Sequence, residues 1–228
     1  WQSGHWLTGR LEGLPLDRLV ARVLDDFGLP PAAELAIDGF LDGYVVERPM
    51  SVRAILEPLA GAYGFDAVAS GLAVHFRGTG RRPLLVLEPG AIVPNDNGAG
   101  LALRRAQETD LPREYRIGFT DGDREYRRSA AASRRLSAGS AGEEGSDLAI
   151  ITGPAEAQRL ADLALQDAWI GRETLDLGLS PRMVGVEPGD LLDAPVGGGR
   201  RIYQVQQITD GLSRSVGLRA IEPTLHDG

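Results

Sequence analysis

Apolar residues recur at helical spacing at Leu16, Leu19, Val20, Val23, Leu24 and Phe27, with Asp17, Arg18, Arg22, Asp25 and Asp26 between them. An apolar stripe backed by charge lets a helix bury one side and hydrate the other. Pro15 suits the first turn and Gly28 suits the stop, so the spacing predicts a helix over 15–27. Pro30-Pro31 then forces a break. Tyr44-Val45-Val46-Glu47-Arg48 predicts a short strand over 44–48, ended by Pro49. Ser51 stands where an N-cap belongs, and Val52, Ile55, Leu56, Leu59 and Tyr63 predict a helix over 51–63, kinked at Pro58. Alternation in Phe65–Ala69 and Leu72–Phe76, around Ser70-Gly71, predicts a hairpin over 65–76, and Leu84–Leu87 adds another strand. Residues 1–88 thus read as a small α+β unit.

The Pro-, Gly- and Asn-rich stretch 89–100 reads as a linker. Beyond it, Arg113–Thr120 alternates with Tyr115, Ile117 and Phe119 on one face; Asp121-Gly122 is a turn, and 123–128 the returning strand. Residues 129–146, rich in Ser, Ala, Arg and Gly, read as an exposed loop. Leu148–Ile151 is strand-like. A helix over 154–170 follows, with Ala157, Leu160, Ala161, Ala164, Ala168 and Trp169 on its apolar face. Thereafter Pro188-Gly189-Asp190, Gly197-Gly198-Gly199 and Asp210-Gly211 separate short apolar runs. That rhythm predicts an antiparallel β-barrel-like domain over 101–228 with one inserted helix, and an α+β fold for the whole chain.

Composition narrows the chemistry. None of the 228 residues is cysteine or lysine. Disulfides, thiolate nucleophiles, cysteine-bound metals, a P-loop and Schiff-base lysines are therefore excluded. With a net charge of −8 and a pI near 5.0, the chain lacks a general basic footprint for nucleic acid. No apolar run approaches the length of a membrane span. The opening Trp1-Gln2-Ser3-Gly4-His5-Trp6 reads as the middle of a longer polypeptide. His5, His75 and His226 lie far apart and outside any metal-ligand spacing. Asp121-Gly122-Asp123 resembles part of a calcium loop but lacks the distant glutamate, so a hairpin turn is the better reading. Arg104 to Arg135 holds nine arginines against six acids, with the signs interleaved as on a solvated strand face. No residue is assigned to catalysis, to a cofactor or to a metal.

Several landmarks occur together in one order. They are Leu7-Thr8-Gly9-Arg10-Leu11; Gly43-Tyr44-Val45-Val46 before Pro49-Met50-Ser51-Val52-Arg53; Tyr63-Gly64-Phe65-Asp66; and Leu111-Pro112-Arg113-Glu114-Tyr115 with Asp123-Arg124-Glu125-Tyr126. Glu156-Ala157-Gln158-Arg159-Leu160-Ala161 with Trp169, and Glu187-Pro188-Gly189-Asp190-Leu191, complete the series. In this order the chain resembles phage tail hub or tail-tip proteins, especially the long tail-tip protein of bacterial gene transfer agents. The resemblance implies a structural virion component at the tail tip, assembled in the cytoplasm as a homotrimeric ring. The ring would connect the tail tube, through the distal tail and other tail-tip proteins, to the tip apparatus, and surround a passage for DNA. It also implies that Pro188, Gly189 and Asp190 form a structural turn of a barrel strand, and it brings no cofactor. Two other readings make different demands. A cell-wall- or carbohydrate-cleaving module needs two converging carboxylates, one with a raised pKa. A glycan-binding module needs a groove of exposed aromatics, for which Trp1, Trp6 and Trp169 are the candidates.

Overall fold

The computed structural model describes residues 13–46, 48–70, 72–79, 84–94, 100–136, 139–211 and 213–226. The first part of the chain runs β1 (Leu14–Pro15), α1 (Leu16–Asp26), β2 (Glu34–Ala36), β3 (Phe40–Leu41), β4 (Gly43–Tyr44), α2 (Val52–Tyr63), β5 (Phe65–Ser70) and β6 (Ala73–Gly78). The connecting strands are β7 (Leu84–Val86), β8 (Ile92–Val93) and β9 (Leu101–Arg105). The remainder runs β10 (Pro112–Asp121), β11 (Arg127–Arg134), β12 (Gly142–Thr152), α3 (Pro154–Ile170), β13 (Glu173–Leu179), β14 (Leu191–Val196), β15 (Gly199–Asp210) and β16 (Arg214–Ala220). The fold is α+β, with three α-helices among many strands in the described residues.

Local chemistry explains the helix ends. The Ser51 hydroxyl accepts a 3.3 Å hydrogen bond from the Ala54 N–H, closing the first turn of α2. Gly64 ends the same helix at φ 65°, a left-handed conformation that a side chain would disfavour. Pro58 lies on the exposed side of α2, where the freed Ala54 carbonyl can meet water, and the helix runs through it as one element. Pro154 opens α3 at a position whose N–H would have no helical partner.

Two principal apolar cores organise the molecule. The first gathers Leu16, Val20 and Leu24 of α1, Ile55 and Leu59 of α2, and Phe65 and Phe76 of the β5–β6 hairpin. It also takes Ile117 and Phe119 of β10, Leu148 and Ile150 of β12, and Leu160 of α3. The sheet beneath it has the order β11-β10-β12-β4, with β10 and β12 parallel and the other pairs antiparallel. The second core consists of Leu175, Leu177 and Leu179 of β13, Leu192 and Ala194 of β14, Tyr203 and Val205 of β15, and Val216, Leu218 and Ala220 of β16, with Leu87 and Val186. These residues alternate along their strands and share one face of a seven-stranded sheet ordered β7-β14-β15-β16-β13-β8, with β9 also on β13. A sheet that buries one face almost wholly against itself must curl, and this one forms a half-barrel.

Four expectations are redrawn. The exposed loop over 129–146 is instead the end of β11 and the start of β12, joined through residues 135–141. Its Ser, Ala, Gly and Glu residues are poor strand formers, but β10 offers a ladder on either side and α3 covers β11, where Gln158 donates to the Ala132 carbonyl at 3.2 Å. The linker over 89–100 is partly built into the half-barrel: Ile92 and Val93 pair with Leu179 and Gly178, and the Ala91 carbonyl accepts from the Ser180 N–H at 2.8 Å. Residues 95–99 lie outside the described residues. The strand over 44–48 is reduced to β4, Gly43–Tyr44, and Glu47 is undescribed. Finally, the boundary between 88 and 101 does not divide the cores, because β10, β12 and α3 join the first helices while β7 and β8 join the half-barrel.

Candidate functional site

The predicted turn at Pro188-Gly189-Asp190 lies where the two cores meet. Pro188 and Gly189 occupy the centre of a tight turn in which the Asp190 N–H donates to the Glu187 carbonyl at 3.1 Å. Gly189 has φ 87°, as the third position of a type II turn requires. The Asp190 carboxylate accepts from the Glu187 N–H at 2.8 Å, and the Asp190 carbonyl from the Val205 N–H at 2.9 Å. The Gly189 N–H returns to the Val205 carbonyl at 2.7 Å. The turn is therefore clamped to β15 beside its bulge at Val205–Gln207. Glu187 also accepts from the Ser70 hydroxyl at 2.9 Å, which brings the tip of the β5–β6 hairpin against the half-barrel.

The seam combines polar contacts with Ile170 of α3, which packs on the half-barrel core. Gln204 donates to Asp66 at 2.6 Å. Arg219 binds the Asp167 carboxylate at 2.7 Å and the Asp167 carbonyl at 2.8 Å, satisfying the last turn of α3. Beside these contacts lies an open cavity of about 870 Å3, with Leu24, Leu56 and Phe65 on its apolar side and Asp66, Gln204 and Arg219 on its polar side.

Among the described residues, the most buried carboxylates, Asp121, Glu173 and Glu114, each have an arginine within 4 Å, though one Asp121 oxygen has no hydrogen-bond partner. Glu173 accepts from Tyr203 at 2.5 Å and from Arg105 at 2.6 Å, with Arg201 at 3.2 Å. Burial pushes its pKa up, but these three partners outweigh that and hold the carboxyl below its usual range. Burial, and then the Glu173 hydrogen bond, raise the Tyr203 hydroxyl. Glu114 pairs with Arg134 at 2.7 Å. Asp121 accepts from the Asp123 N–H at 3.0 Å and lies 3.7 Å from Arg124. This is the turn role expected of Asp121-Gly122-Asp123, and no group of three potential ligands able to hold a metal is found among the described residues.

One arrangement comes nearer to hydrolytic chemistry. A second cavity of about 520 Å3 is lined by Asp42, Tyr63, Glu156 and Arg159 among others. Burial, aided by the charge of Asp123, raises Asp42 above the usual carboxylate range. Glu156 accepts two hydrogen bonds from Arg159, at 2.8 and 2.6 Å.

Of the three histidines, only the side chain of His75 lies among the described residues. His75 lies 3.4 Å from Glu34 across the β2–β6 pair, and Arg77, with burial opposing it, holds Glu34 below its usual range. His5 and the side chain of His226 are outside the described residues, as are Trp1, Trp6 and the 7–11 landmark. Trp169 is 7% exposed, and its indole N–H donates to the Pro112 carbonyl at 2.8 Å. It is a packing residue and offers no open face to a sugar. Of the nine arginines between 104 and 135, seven face acids within 4 Å. Sequence reasoning missed the Glu173 cluster and Asp42. Their partners are scattered through the chain, so no spacing announces them.

Two principal cores on a four-stranded and a seven-stranded sheet, with a clamped turn between them, describe a structural building block, and the comparisons agree. Over residues 51–208 the chain matches the family described as "Putative phage tail protein". It belongs to that family and is a phage tail structural protein. A chain in the virion of a native gene transfer agent (GTA) particle is 25% identical, with a TM-score of 0.84 covering 98% of this chain and 51% of that one. The present chain thus spans about half the length of that relative. The tail protein from Neisseria meningitidis MC58 (12% identity, TM-score 0.64, covering 93% of this chain and 68% of that one) shares the fold. So does the 43 kDa tail protein of prophage MuSo2 from Shewanella oneidensis (12%, 0.55, covering 98% and 67%). No match was found among curated proteins. Among the described residues, no helix is long and apolar enough to cross a membrane.

Proposed function

We propose that the chain is part of a tail-tip hub. Three copies close a ring that joins the tail tube to the tip apparatus and surrounds the DNA exit passage. The observation that carries this reading is the 0.84 TM-score over nearly the whole chain to a component of a gene transfer agent virion. The surface supports it. Both outer edges of the half-barrel present apolar side chains, Leu84 and Val86 on β7 and Leu101 and Leu103 on β9. Unpaired apolar edges are templates for another chain and are otherwise a liability. Exposed Leu72, Tyr126 and Val184 add apolar contact points away from those edges. In this reading Pro188, Gly189 and Asp190 are structural, holding a barrel strand in register. The net charge of −8 gives an acidic wall that repels DNA phosphates and keeps the passage from retaining them. A passage lined by Arg104–Arg135 would contradict that part.

Gold-conjugated antibody against this chain, applied to intact particles, should mark the distal end of the tail. Label along the tube or on the capsid would overturn the assignment. The same reading makes the chain non-catalytic. Among the described residues, the cavity lined by Asp42 and Glu156 is the arrangement that favours the alternative of wall cleavage, since it brings a carboxyl with a raised pKa and a second acidic side chain onto one cavity. A zymogram on purified peptidoglycan should show no clearing. Clearing that disappears in Asp42→Asn would establish the hydrolytic reading instead.

A further inference from the structure

Beyond the end of α3 the surface carries a small cationic recess of about 400 Å3, lined by Arg135, Gln166, Trp169, Ile170, Arg172 and Arg201. The Arg135 guanidinium lies 4.3 Å from the centroid of the Trp169 ring, and that of Arg172 lies 5.7 Å from it. Trp169 is anchored from below through its N–H to the Pro112 carbonyl. The indole therefore draws two arginine guanidinium groups over its ring by cation–π attraction.

The charges do not cancel. Arg172 pairs with the exposed Glu108 at 3.3 Å, while Arg201 shares the buried Glu173 with Arg105. Among the described residues, Arg135 has no acidic partner. Four arginines thus stand against two glutamates in a molecule that is strongly acidic overall. Apart from Arg113, whose carbonyl accepts from the Arg135 N–H at 2.8 Å, the arginines of β9 to β11 near the recess pair with acids, so among the described residues the excess extends from the recess by one residue and not into a long track. A polyanion such as DNA is bound by a run of unpaired cations with open aromatic faces. Here there is one recess, and the indole face is already covered.

We propose that this recess is an anion-binding site for a carboxylate side chain, the docking point for an acidic peptide segment of another protein. Arg135 supplies the uncommitted charge, and Arg172 and Arg201 supply further donors. A planar guanidinium presents paired N–H groups that match the two oxygens of a carboxylate. The site stands whether or not the chain closes a ring.

The 228-residue chain, labelled with 15N, tests this through the indole N–H resonance that disappears in Trp169→Phe. Acetyl-tetraglutamate amide should shift that resonance saturably, and acetyl-tetraglutamine amide should not. Arg135→Gln should weaken the glutamate peptide roughly tenfold or more, whereas Arg135→Lys, which keeps the charge, should weaken it less. The proposal falls if both peptides shift the resonance alike or if Arg135→Gln binds as wild type does. It also falls if a 20-nucleotide single strand binds more tightly than the glutamate peptide in an Arg135-dependent way, which would assign the recess to nucleic acid.

Discussion

The two principal cores are built on opposite plans. The first is assembled from distant pieces, since α1 and α2 meet β10, β12 and α3 across more than half of the chain. The second is one curled sheet, in which β14, β15 and β16 pair in sequence order with β13 beside β16 and only the edge strands β7, β8 and β9 come from far away in the chain. Where they meet, the contacts include hydrogen bonds and an ion pair around an open cavity of about 870 Å3. Dry cores joined by a wet seam are coupled weakly, because polar contacts near solvent contribute little and a cavity contributes no dispersion.

The strongest way to break the comparison is to empty each core in turn. Leu160→Ala on α3 and Leu177→Ala on β13 remove side chains that are fully buried, and each should cost about 2–5 kcal/mol. Hydrogen exchange should speed up in α1, α2 and β12 for the first variant and in β13 to β16 for the second. Equal loosening of both regions by either variant would mean a single cooperative unit.

A smaller effect sharpens the second half. Glu173→Gln removes the charge that holds Arg105, Arg201 and the Tyr203 hydroxyl, at about 1–3 kcal/mol. The sign with pH follows from its lowered pKa. Its stabilisation is present above the ordinary glutamate value of about 4.3 and is lost as pH falls through the lower folded value. Wild type should therefore lose stability more steeply than Glu173→Gln on acidification below about pH 4, as followed by urea midpoints.

The smallest effect belongs to the seam. Asp167 and Arg219 are each about one-third exposed, so Asp167→Ala should cost under about 1 kcal/mol and leave both cores protected from exchange. A larger loss that spreads into both cores would mean that the seam holds the fold together.

Periodicity made the helices legible. The stripe from Leu16 to Phe27 becomes α1, and the Ser51 cap and the 52–63 spacing become α2. What it could not carry was pairing. β11 and the start of β12 have strand geometry because β10 offers hydrogen bonds on either side, a property of neighbours and not of Ser, Ala, Gly and Glu. The parallel β10–β12 pair and the inclusion of Ile92–Val93 in the half-barrel are long-range facts of the same kind. At the candidate site, the turn at Pro188-Gly189-Asp190 was legible because proline and glycine dictate local dihedrals. Glu173, Asp42 and the Arg135–Trp169 recess were not, because their meaning comes from partners tens of residues away.

A reconstruction of the tail tip from purified particles tests the central claim most directly. It should contain three copies of this fold around the tail axis, enclosing a passage. Finding the fold elsewhere in the particle, or in an arrangement that encloses no passage, would contradict it.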